Sequence, residues 1–124
     1  MLIITFRAYV ELIRFSRYIR RSDFAALYTA VSDNPIRKSN RFPNLCPQVC
    51  RAVDIACTWY WRRTSCLQRS AATTCLLRHY GAPAQLVVAT QHTPFKAHAW
   101  VEIHGEVVND SPNVQGRYDV LDKF

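Results

Sequence analysis

Apolar residues in the first part of the chain recur every three or four positions. Phe6, Tyr9, Val10 and Ile13 form one such set, and Phe24, Leu27, Tyr28 and Val31 form another. The spacing predicts one or two helices. A break falls at Ser22-Asp23, where either residue can cap the second helix. Ser32 to Asn44, with Asp33-Asn34-Pro35, Lys38, Ser39 and Pro43, is loop chemistry and reads as the internal linker. It sets a helical arm, residues 1–44, apart from residues 45–124 within one compact unit. Leu45 to Trp61 then reads as a helix, with Pro47 tolerable only in the first turn. Leu67 to Tyr80 reads as an amphipathic helix, with Leu67, Ala71, Thr74 and Cys75 at one helical spacing and Gly81 as its C′ residue.

Beyond Gly81-Ala82-Pro83 the period drops from helical to alternating. Gln85 to Thr90 is a short apolar run and reads as a buried strand, followed by a turn at Gln91-His92-Thr93-Pro94. Ala97, Ala99 and Val101 then alternate with His98, Trp100 and Glu102, the period of a strand. Ile103-His104-Gly105 fits a three-residue hairpin loop, and Glu106 to Asp110 returns as the next strand. Ser111 to Gly116 is a loop, and Tyr118 to Leu121 adds a last short strand. The fold class is therefore α+β: N-terminal helices, then a central helix packed on a small antiparallel sheet.

Composition narrows the class without choosing a function. At 124 residues, about half of them apolar, the chain is one domain with a core of its own. The net charge of +7 admits nucleic acid, an anionic surface or an acidic peptide as partner. Arg14, Arg17, Arg20 and Arg21 would form a basic helix face, either a docking surface or a solvated one. Five cysteines cannot all pair within one chain. With no secretory signal and no apolar run of spanning length, this favours a reducing cytoplasm and no membrane span.

Cys46, Cys50, Val53 and Cys57 share one helix face. A metal site there would need His79 or His92 as a further ligand. The chain has no Cys-x-x-Cys pair, and a buried seam of small side chains is the preferred reading, so no metal or cofactor is expected.

The candidate chemistry centres on Thr64-Ser65-Cys66-Leu67-Gln68-Arg69-Ser70. Ser65 is placed to cap the helix, with Gln68 closing a capping box. Cys66 then lies in the first turn, where free backbone N–H groups and the positive end of the dipole favour a thiolate. A nucleophilic cysteine also needs a base and a group that orients the base. His98 on a strand and Asp110 on the next strand supply both. A three-residue loop at 103–105 pairs them directly across the hairpin, whereas a two-residue turn at His104-Gly105 would slip the register and turn Asp110 away. The Cys66 backbone N–H, with Gln68 or Gln91, would hold an oxyanion. His79 sits at the far end of the helix, about 20 Å away at 1.5 Å per residue. His92, in a turn, is a rival base.

The cysteine segment, Leu76-Leu77-Arg78-His79-Tyr80-Gly81, Phe95-Lys96-Ala97-His98-Ala99-Trp100-Val101-Glu102 and Asn109-Asp110 together resemble the leader peptidases of lasso-peptide biosynthesis, a transglutaminase-like, papain-related family of cysteine peptidases. The resemblance covers roughly Cys50 to Asp110. It implies Cys66 as nucleophile, His98 as base and Asp110 as orienting acid. It also implies a precursor peptide cut between leader and core, a separate leader-recognition protein, and an ATP-dependent macrolactam cyclase to which the ATP belongs. Two other readings use the same residues differently. One is acyl transfer to an amine in place of water. The other is a non-enzymatic basic module binding nucleic acid or acidic peptide through Arg14, Arg17, Arg20, Arg21, Arg62 and Arg63.

Overall fold

The computed structural model describes residues 2–38 and 42–124. Five helices and four strands follow one another among them: α1 (Leu2–Arg20), α2 (Phe24–Ser32), α3 (Phe42–Thr58), α4 (Cys66–His79), β1 (Ala84–His92), β2 (Phe95–Ile103), β3 (Glu106–Val107), α5 (Val114–Arg117) and β4 (Asp119–Lys123). The class is α+β, as the change of period indicated. Among the described residues no helix is long and apolar enough to cross a membrane.

Asp23 caps α2 by accepting the Ala26 N–H at 3.2 Å, and Ser22 takes the left-handed conformation that ends α1. The buried stripe of α1 differs from the one expected. Ile4, Ala8, Leu12 and Phe15 face the core, while Phe6, Val10 and Ile13 face out. Both sets have helical spacing, so periodicity alone could not choose between them. Helix α3 begins at Phe42, inside the stretch read as loop, so Pro47 falls in its second turn. The ring removes one backbone hydrogen bond there. Residues 39–41 of that expected loop lie outside the described residues.

Helix α4 is the axis of the fold. It is not amphipathic: every residue from Ser70 to Arg78 is buried. Helices pack on one side of it and β1 and β2 on the other, and one core joins residues of α1, α2, α3, α4 and the sheet. Most of its polar side chains find partners within the fold, the buried Nε of Arg69 being an exception among the described residues. The hydroxyls of Thr73 and Thr74 donate to the carbonyls of Arg69 and Ser70, each at 2.8 Å. Arg78 holds the C-terminal end. Its guanidinium donates to the carbonyls of Ala84 at 2.8 Å, Asn34 at 3.2 Å, Phe124 at 2.9 Å and, more closely still, Val31. Burial lowers the pKa of this guanidinium. The carbonyls at the end of α2 supply the negative partial charge that stands in for a counter-ion.

The sheet is antiparallel, in the order β3-β2-β1-β4. Leu86, Ala99, Val101 and Ile103 face α4, while Val87, Ala89 and Trp100 form a second small core with Val114 on the other face. The β2–β3 turn has two residues, with Ile103 opposite Glu106. His104 and Gly105 both have positive φ, at 51° and 79°, which is the tight hairpin geometry that matches strand twist. The expected three-residue loop is therefore not formed. Strand β3 ends at Val107, and β2 beyond its Glu102–Ile103 pairing is left as an edge.

Candidate active site

Cys66 is the first residue of α4. Ser65 is its N-cap, and the Ser65 hydroxyl accepts the Gln68 N–H at 3.1 Å. The reciprocal half of the capping box is absent, because the Gln68 amide instead donates to the Leu12 carbonyl at 2.7 Å, deep against α1. That contact removes Gln68 as an oxyanion donor. Gln91 donates to the Pro94 carbonyl at 3.2 Å in the exposed β1–β2 turn and is likewise committed elsewhere. The Cys66 side chain is half-buried and borders a cleft of about 430 Å³ lined also by Asp54, Cys57, Thr58, Thr64, Ser65 and Arg69.

His98 lies on β2, on the face turned away from α4. Its Nε2 is 2.7 Å from Asp110 Oδ2. The imidazole stacks on Tyr118, with ring centroids 5.1 Å apart and planes 27° apart, and meets Trp100 at a tilt of 40° with centroids 5.9 Å apart. The second oxygen of Asp110 accepts the Ser111 N–H at 2.7 Å. Burial alone would raise the Asp110 pKa. The hydrogen bonds from His98 and Ser111 outweigh it and hold the carboxyl below its ordinary value.

The route by which Asp110 reaches His98 differs from a ladder pairing. The two-residue turn gives the register that should have turned Asp110 away, yet the strand ends before that register applies. The Val108 N–H still bonds the Val101 carbonyl at 3.0 Å. The Val101 N–H then takes the side-chain oxygen of Asn109 at 2.8 Å, in place of a backbone carbonyl. The Val108 carbonyl is free to accept the Cys50 thiol of α3 at 3.6 Å. The Asn109 amide donates to Ser70 Oγ at 3.1 Å, and that hydroxyl donates to the Ala99 carbonyl at 3.1 Å. Residues 108–110 thus wrap the free edge of β2, with Asn109 fastened on the α4 side and Asp110 on the His98 side.

The structure therefore brings His98 and Asp110 together. Cys66 sits one turn before Ser70, whose hydroxyl is fixed to the residue after His98, but among the described residues no hydrogen bond joins the Cys66 thiol to the ring. Ser70 and Asn109 carry no motif of their own. An Asn directly before the candidate acid was visible in the sequence, but its task was not.

On the same strand face, Glu102 is 2 % exposed. It accepts from Trp100 Nε1 at 2.8 Å, Lys123 Nζ at 2.9 Å and Gln115 at 3.2 Å. Burial would raise its pKa, but these three donors prevail and leave it lowered. The network ties β4 and α5 to β2 and so holds the Tyr118 segment over His98. His92 lies at the distant β1–β2 turn, 3.8 Å from Asp119 and exposed, and His79 lies at the other end of α4. Cys46 and Cys57 pack against the core, and burial pushes the Cys50 and Cys75 thiols up to about 12. Among the described residues no three His, Cys, Asp or Glu side chains cluster as metal ligands.

The family model of the transglutaminase-like superfamily matches residues 6–123. The chain is also 36% identical over 59 residues to the microcin J25-processing protein McjB of Escherichia coli, a stretch that is 48% of this chain and 28% of that protein. The match thus spans little more than a quarter of that relative's length. No solved structure matches the chain.

Proposed function

The chain belongs to the transglutaminase-like superfamily, and on that premise we propose that it is a cysteine endopeptidase acting on a ribosomally made lasso-peptide precursor. Cys66 is the nucleophile, His98 the base and Asp110 the acid that orients it. The observation that carries this reading is the 2.7 Å bond from His98 Nε2 to Asp110 on an edge packed against the helix that begins at Cys66. The likeness to a microcin-processing protein supports the peptide substrate.

With Nε2–H donated to the carboxylate, His98 Nδ1 keeps the lone pair that takes the thiol proton. The reading requires Cys66 Sγ and Nδ1 to come within hydrogen-bond reach when substrate enters the cleft, a tightening common on substrate binding. The thiolate then attacks the scissile carbonyl. The oxyanion lies against the Cys66 backbone N–H at the helix start. The imidazolium returns its proton to the departing amine of the core peptide, leaving the leader as a thioester on Cys66. His98 next deprotonates a water, which attacks the thioester and releases the leader acid and the free thiol. A separate leader-recognition protein presents the precursor in the cytoplasm, and the freed amine passes to an ATP-dependent macrolactam cyclase.

The test is mass spectrometry of a synthetic precursor incubated with the chain and its recognition partner. Two fragments whose masses sum to the precursor plus one water are expected, and Cys66→Ala should yield neither. A leader fragment carrying an added amine would instead mean acyl transfer. Continued cleavage by Cys66→Ala would overturn the assignment.

A further inference from the structure

Helix α1 turns one apolar stripe inward and leaves a second one bare. Ile3 and Phe6 are each 70% exposed, Val10 is 46% exposed, and Ile13 continues the row at 37%. The spacing is that of a single helix face. Two shallow grooves meet along it at Val10. One, of about 690 Å³, runs between Ile3, Phe6 and Val10 and the wall formed by Pro35 and Leu76. The other, of about 450 Å³, continues past Ile13 to Tyr18 and Arg21. Together they follow α1 for about 25 Å at 1.5 Å per residue, the length of a helix of four to five turns.

The rims are net cationic, with Glu11 the acidic member of the first groove and Asp23 that of the second. Arg7 and Arg37 border the first groove, and Arg14, Arg17 and Arg21 the second. Arg14 pairs with Glu11 at 3.2 Å, but among the described residues Arg7, Arg17, Arg21 and Arg37 make no ion pair. His79 shares the first groove and is disfavoured from charging by burial and by Arg7 and Arg37 beside it, a sign of the positive field there.

We propose that this face docks an acidic amphipathic helix of a protein partner. An apolar row takes the partner's apolar ridge, and the unpaired arginines take carboxylates on either side. A second copy of this chain would set arginine against arginine. A bilayer favours a convex apolar face over a pair of concave grooves. The inference rests on no part of the catalytic reading, and its first groove lies at the end of α4 remote from Cys66, with Cys75, Leu76 and His79 on its wall.

The experiment is a fluorescence-anisotropy titration of the full chain carrying Cys66→Ala, so that cleavage plays no part. The probe is a labelled peptide with leucines at helical spacing and glutamates elsewhere. Binding is expected, weaker by about tenfold or more between low and physiological salt. Phe6→Glu with Val10→Glu should weaken it at least about tenfold, and Arg17→Glu with Arg21→Glu should weaken it and flatten the salt dependence. Circular dichroism checks that each variant folds, and the arginine pair decides the matter if the apolar pair does not. The proposal fails if the peptide does not bind, or if a scrambled peptide of the same composition binds equally. It also fails if the same variants abolish binding to anionic phosphatidylglycerol vesicles or a concentration-dependent dimer while leaving the peptide unaffected.

Discussion

The two ends of α4 are built from the same helix and treated oppositely. At the C-terminal end, Arg78 is buried and its guanidinium reaches four backbone carbonyls from three separate segments. At the N-terminal end, Cys66 borders a cleft, and among the described residues its thiol makes no hydrogen bond. One end is fully satisfied and fixes topology. The other leaves a thiol open to a cleft, which is what the proposed nucleophile requires.

The sharpest way to separate the ends is to remove one side chain from each. Cys66→Ala should lower cleavage by at least about 10³-fold while leaving the melting temperature within a few degrees. Arg78→Ala should do the reverse in kind, costing about 3 kcal/mol or more of stability because it strands several buried carbonyls. Thermal unfolding of both variants by calorimetry checks the contrast, and a Cys66→Ala protein that melts like Arg78→Ala would erase it.

An intermediate effect is expected between the ends, at the wrapped edge. Asn109→Ala removes two hydrogen bonds near 3 Å and should cost about 1–2 kcal/mol. It should also shift the acid limb of the pH–rate profile, because Asp110 loses its mount. Ser70→Ala should shift the same limb less, since Asn109 keeps its bond to Val101. If the limb does not move in either variant, the edge is only structural.

Alkaline unfolding probes the buried body of the helix. Cys75 is held protonated up to about 12, whereas an unfolded thiol ionises near 9. Stability is therefore fully present below about pH 9 and falls as pH rises towards 12, by up to about 1.4 kcal/mol per unit for each such thiol. Cys50, also held up to about 12, adds to the slope. Cys75→Ala should reduce the slope, and an unchanged slope would exclude that thiol as the source. The smallest effect belongs to the cap: Ser65→Ala should cost about 1 kcal/mol, seen as a drop of a few degrees in melting temperature.

Much of this was legible in the sequence because local rules sufficed. Asp23 and Ser65 were readable as caps, Gly81 as a helix stop, and the period change after Pro83 as the start of the sheet. What escaped was tertiary. The core face of α1 was ambiguous between two stripes of the same spacing. The Gln68 side chain obeyed its local motif less than a buried carbonyl of Leu12. The hairpin turn is one residue shorter than the sequence suggests, and the His98–Asp110 contact forms nonetheless because the chain leaves the strand first. Such a bend has no periodicity, and its anchor, Asn109, is specified by Ser70, 39 positions away.

That anchor has a wider bearing. Asn109 ties the carboxylate's segment to the very helix that bears the thiol, so the proposed acid and nucleophile ride on a common frame. A shift of α4 would carry both, while added residues at the hairpin tip that keep the Ile103–Glu106 pairing would leave that tie in place. Insertions at that tip are accordingly a place where such a chain can vary its outer surface during evolution, or under an engineer's hand, without retuning its chemistry.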